Sequence, residues 1–216
     1  EKASSLDSGN DLAKRSILET KNNILSVYNP QKAQAEKNEY AAKNLKEALD
    51  MTVKYMSPAF MSDLKDVAVK FGETASMSGT SNIAQYEDSK KTITISKNYI
   101  YAAPQVIAAY LTHESVHAKD KDSYTSVREE QDAYEVATKF WTENSAGVKD
   151  PEMDYAADLY NKSPDELSKR VEEIYTMRDS SIAETSPNHP ADASASQGLS
   201  QNNSASQPLK QYDVIA

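Results

Sequence analysis

The chain has 216 residues, 38% of them hydrophobic, with 24 Lys and Arg against 33 Asp and Glu, a formal net charge of −9. Apolar usage below the ~45–50% of ordinary globular chains leaves part of the length outside any packed core. The best candidate membrane span, Ile100 to Leu111, is broken by Pro104 and Gln105 and falls short of the ~18 apolar residues required, so a membrane span is excluded. The acidic balance, with no basic patch, argues against a nucleic-acid partner, and the absence of cysteine excludes disulfides, thiolate zinc ligands and thiol nucleophiles.

The opening Glu1-Lys2-Ala3-Ser4-Ser5 carries neither an initiator Met nor an apolar leader, which reads as a trimmed or mature form. A secreted or cell-envelope protein is expected, with residues 1–8 flexible. Residues 9–72 read as helices. Leu12, Ile17, Leu18, Ile24, Leu25 and Tyr28 recur at helical spacing until Asn29-Pro30 stops them. A longer helix carries Tyr40, Ala41, Leu45, Ala48, Leu49, Val53 and Met56. A third starts at Pro58 and takes Phe60, Met61, Leu64, Val67 and Phe71 to Gly72.

After a Gly, Ser and Thr rich loop over 73–81 the period changes from 3.6 to 2. Residues 82–87 and Thr92-Ile93-Thr94-Ile95-Ser96 predict two strands joined by a turn at Asp88-Ser89-Lys90. Helices follow over 103–119, from Ser126, from Asp150-Pro151-Glu152, and from the capping box Ser163-Pro164-Asp165-Glu166. The fold class is therefore α+β, mostly helical, with a small antiparallel sheet. From Ser180 the composition turns to Ser, Ala, Asn, Gln and Pro. Such a stretch buries too little surface to offset its ordering entropy, so residues 180–216 read as a disordered tail. Residues 9–179 form one domain, with a helical part over 9–72 and a second part over 73–179.

The second part carries His113-Glu114-Ser115-Val116-His117. On a helix, residues four apart share a face with ~5–6 Å between Cβ atoms. Two imidazoles at that spacing can converge on one zinc ion, with Glu114 alongside to hold and deprotonate a water. The pentapeptide also occurs by chance, and the alternative is two ordinary histidines on an amphipathic helix. A zinc hydrolase needs a third protein ligand. His189 lies in the tail, and Glu129, Glu130 and Glu135 compete on the next helix. Glu129 has a capping role with Ser126. Glu130 sits mid-stripe among Ser126, Ala133, Tyr134, Ala137 and Trp141, where a buried charge demands a partner such as zinc. The alternative there is a helix rotated a little, with Glu130 at the solvent edge.

His113-Glu114-Ser115-Val116-His117 followed by Glu130-Gln131-Asp132-Ala133 resembles the gluzincin metallopeptidases, and Thr92–Ser96 is similar to the edge strand of the zincin fold. The resemblance spans about residues 82–142 and implies one zinc ion held by His113, His117 and Glu130, with Glu114 as general base of peptide hydrolysis. Lys119 departs from the extended pattern. Tyr134 stands where several families orient a ligand histidine with Asp, which leaves Asp132 or Asp120 as candidate second partners. With no spare histidine in the folded part, Tyr134 is the first choice of oxyanion donor, ahead of Tyr124 and Tyr155. The expected partner is a peptide or protein substrate paired with the edge of Thr92–Ser96. The competing reading is a helical cell-surface or interaction protein whose motif is incidental or structural.

Overall fold

The computed structural model describes residues 11–77, 80–120 and 126–185; the terminus expected to be flexible, 1–8, and the part of the expected tail 180–216 from residue 186 on lie outside the described residues. Helix α1 (Asp11–Tyr28) turns straight back into α2 (Pro30–Tyr55). Pro30 at the first helical position suits its fixed φ, and the Asn29 side chain accepts from Lys32 N at 3.0 Å to close the cap. Across this hairpin Asn22 Nδ2 donates to Ala33 O at 2.8 Å. A short α3 (Pro58–Asp63) follows, capped by Ser57.

The chain then departs from the expected helix. Ala68–Gly72 is a strand, β1, paired parallel to the strand Thr92–Ser96 with Val69 beside Ile93 and Phe71 beside Ile95. Val69 and Phe71 are half-buried while Ala68 and Lys70 are exposed, a period of two. Five residues fit either period, and the hydrogen bonds offered by the neighbouring strand decide between them. A two-stranded ribbon, β2 (Ser76–Met77) and β3 (Thr80–Ser81), precedes β4 (Ala84–Glu87) and β5 (Thr92–Ser96). β4 and β5 are antiparallel, joined through Lys91 at φ 46.

The sheet order is β1-β5-β4, so the sheet is mixed rather than antiparallel. β5 is its centre, with Ile93 and Ile95 buried, and β5 therefore has no free edge for a peptide. Among the described residues the free edges belong to β1 and β4.

Four helices complete the domain: α4 (Pro104–Lys119), α5 (Val127–Asn144), α6 (Pro151–Lys162) and α7 (Pro164–Thr185). α7 continues past the expected tail boundary at 180, because an established helix adds each further residue at little cost. α4 is the hub. It packs on α2, on α5 and on the sheet, and from Val106 to Ala118 only Val116 is less than buried. α2 approaches through Asn44, Ala48 and Thr52, small or polar residues one turn apart that let two backbones come close. Thr52 Oγ1 reaches Ala48 O at 3.1 Å and Ala108 O at 3.4 Å. Asn44 Nδ2 donates to Ile100 O at 2.9 Å and Ala102 O at 3.0 Å, holding the turn that launches α4. No helix among the described residues is long and apolar enough to cross a membrane.

Asn44→Ala strands two carbonyls against the core. We expect a loss of ~1–3 kcal/mol in unfolding free energy, read as a lowered urea midpoint. An unchanged midpoint would show that the α4 launch is held by other contacts.

Candidate metal centre

His113 and His117 leave α4 on one face, one turn apart, with ring centroids 5.0 Å and Nε2 atoms 3.2 Å apart. α5 packs across that face and inserts Glu130 from its first turn. Glu130 Oε2 lies 3.5 Å from His113 Nε2 and Oε1 lies 3.5 Å from His117 Nε2. Among the described residues these three form the group of His and acidic side chains able to share an ion.

Tetrahedral zinc with bonds of ~2.0–2.1 Å separates its ligand atoms by ~3.3–3.4 Å. The separations of 3.2 Å between the imidazoles and of 3.5 Å from each imidazole to its own oxygen of the Glu130 carboxylate lie close to that edge length. Glu130 is 0% exposed, and neither oxygen has a hydrogen bond of ordinary length. A carboxylate placed so is under-satisfied by the protein alone, and the donor set of two imidazoles and one carboxylate suits zinc.

Charge reinforces the geometry. Burial opposes ionisation of His117, yet the Glu130 carboxylate beside it and the bonds to Glu129 and Glu130 outweigh that and push its pKa up to about 10. Glu130 is the mirror case: burial would raise it, but the His117 charge and contacts from both imidazoles bring it down to about 2. Burial holds His113 below its ordinary value. With no metal the trio is thus an imidazolium, a neutral imidazole and a carboxylate.

Glu129 has a role beyond the one expected. Ser126 and Glu129 do form the capping box, and Glu129 Oε1 also lies 2.9 Å from His117 Nδ1. A carboxylate only accepts, so Nδ1 carries the proton and Nε2 is turned towards Glu130. Glu129 is therefore the second partner of a histidine that the sequence left to Asp132 or Asp120. Asp132 pairs instead with Arg128 at 2.9 Å, and Asp120 is an exposed residue closing α4. The clue was available: the side chain at the third position of a capping box turns back past the helix start, here towards the end of α4.

Glu114 is 2% exposed, and burial pushes its pKa up to about 8. Its carboxyl accepts from the backbone N–H of Tyr86, while Oε2 has no hydrogen-bond partner. Register explains the first contact. Ser96 N donates to Ile83 O at 2.7 Å, so the pairs that bond across β4 and β5 are the odd residues of β4. The amide of Tyr86 then points away from β5. No sequence signal locates that amide.

Tyr134 packs edge-on against His113 with centroids 4.6 Å apart, buried on α5. Glu135, the third acidic competitor, pairs with Lys139 at 2.7 Å. Tyr155 is 40% exposed on α6, and Tyr124 and His189 lie outside the described residues.

Two measurements follow from this arrangement. Ser126→Ala should cost ~1 kcal/mol of stability through the cap with zinc affinity unchanged, whereas Glu129→Gln keeps the cap and should weaken zinc ~10–100-fold. Chelator competition separates them, and equal affinities in both variants would refute the role of Glu129. Because His117 is charged without metal, zinc uptake at neutral pH should release about one proton, and affinity should rise with pH. Calorimetry in buffers of different ionisation enthalpy reads this directly. No family model, curated protein or solved structure matches the chain.

Proposed function

We propose that the chain is a zinc-dependent endopeptidase that holds one zinc ion through His113, His117 and Glu130 and hydrolyses peptide bonds with Glu114 as general base. The observation that supports this most strongly is the buried Glu130 carboxylate set 3.5 Å from both imidazoles. A zinc-binding pentapeptide without that carboxylate would be a much weaker pointer.

Bound zinc supplies Lewis acidity, acidifying a water and polarising a carbonyl oxygen. The protein does the rest. Glu129 fixes the tautomer and the orientation of His117. Glu114 lies between the two ligands in sequence, anchored by the Tyr86 amide. It accepts the proton of the attacking water and delivers it to the leaving amine, a step worth ~10²–10⁴-fold. Tyr134, against His113, is the proposed hydrogen-bond donor to the oxyanion.

A non-catalytic interaction protein is the second reading, and one observation favours it. Ile17, Ile24, Val27 and Tyr28 of α1 are all more than half exposed, an apolar side with no cover among the described residues.

Glu114→Gln should retain stoichiometric zinc while peptide cleavage falls ~10²–10⁴-fold. Metal analysis and peptide-library digestion on the same sample test this. Undiminished cleavage by the variant would remove Glu114 from the mechanism, and zinc binding without cleavage by the wild-type chain would favour a structural site.

A further inference from the structure

Helix α1 has two different sides. Leu18, Asn22 and Leu25 lie one turn apart and half-buried, and from that side Asn22 bonds to Ala33 of α2. Turned away from them are Ile17, Ile24, Val27 and Tyr28, each more than half exposed. At about 100° per residue these four fall within about 100° of arc, the width of a face that ordinarily packs against something. A shallow depression of about 370 Å³ runs along it, lined by Ser16, Ile17, Thr20, Lys21 and Ile24. Lys14 and Lys21, both exposed, edge the strip on one side, so it is apolar with a cationic margin.

A second copy of the chain is a poor match for this strip. In antiparallel pairing the two lysine margins meet, and each chain carries a net charge of −9. The strip is also small. An 18-residue helix is about 27 Å long and 10 Å across, so one side offers roughly 300 Å² against the ~800 Å² per partner of a stable interface. An occupant held by so little surface must be tethered, which supplies a local concentration in the millimolar range.

The sequence carries such an occupant. Outside the described residues large apolar side chains are sparse: Leu6 in 1–10, Tyr124 in 121–125 and Leu199 in 186–208. The exception is Leu209-Lys210-Gln211-Tyr212-Asp213-Val214-Ile215, where Leu209, Tyr212, Val214 and Ile215 surround one acidic group. Residues 186–208 join the end of α7 to Leu209. A chain of that length spans at most ~80 Å, several times the ~16 Å radius of gyration of a domain of this size.

We infer that residues 209–215 dock on the exposed side of α1, with their apolar side chains over Ile17, Ile24, Val27 and Tyr28 and with Asp213 beside the lysine margin. The strip is then an interaction surface whose occupant travels on the same chain, and any outside ligand for it must displace that segment. The inference does not rest on the peptidase reading.

The absence of cysteine lets a single label be placed cleanly. In the full chain carrying a nitroxide at Ser206→Cys, the methyl signals of Ile17 and Ile24 should lose roughly two-fold or more in intensity. Those of Val53, exposed near the other end of α2, should not change. Adding Tyr212→Ser and Ile215→Ser should restore the α1 signals, and so should Ile24→Ser read at Ile17, with circular-dichroism melts confirming an intact domain. Equal intensities at Ile17, Ile24 and Val53, or a loss that survives the double substitution, overturn the inference. A loss that persists when nitroxide and isotope are carried on different chains shows that a second copy covers the strip, and it overturns the inference too.

Discussion

Glu130 has no exposed surface and lies between two imidazoles, and a carboxylate there is stable only because something positive faces it. Without metal, that role falls to the His117 imidazolium. A divalent cation would meet the same need more fully, because it can be approached by both imidazoles and the carboxylate at once. The ion pair and the proposed metal site would be two occupancies of one buried electrostatic frame. The same geometry could hold a metal, while the protein folds around charge that is nearly balanced without one.

That frame depends on rigidity elsewhere. α4 is buried almost all round, so its rotation about its own axis, and with it the direction of both imidazoles, is fixed by contacts on every side. α2 supplies one wall through Asn44, Ala48 and Thr52, and the sheet supplies another. α5 is held at its start by the Ser126 cap, and Glu129, one residue before Glu130, ties that start to His117. One side chain thereby joins a helix terminus to a candidate metal ligand, so local folding of α5 and the geometry of the site are physically coupled.

The mixed sheet has a consequence for the candidate site. Parallel pairing of β1 places β5 at the centre, which leaves β4 as the strand whose outward amides lie beside α4. One of those amides already anchors Glu114. Its neighbour Ala84 stays outward, and the far end of the strand is bordered by the segment around Ala75, whose backbone bonds to Asn82 and to the Gln85 side chain. Ala84, Gln85 and Tyr86 are all buried, so this side of β4 is covered by that segment and by α4.

Much of the local structure is legible in the residues themselves. Asn29-Pro30, Ser57-Pro58, Asp150-Pro151 and Ser126 with Glu129 mark helix starts because a capping side chain and a preset φ act within a few residues. The pentapeptide puts two imidazoles on one face for the same local reason, and the apolar stripe around Glu130 singles it out from Glu129 and Glu135. Pairing partners are another matter. Whether Ala68–Gly72 is helix or strand, which strand is central, that Glu129 reaches His117, and that the Tyr86 amide reaches Glu114 all depend on groups 12 to 28 residues apart in the chain. Periodicity reports which face of a segment is apolar. Only the packed molecule decides what that face meets, because hydrogen bonds and charges are satisfied by whatever the rest of the chain brings within about 3 Å.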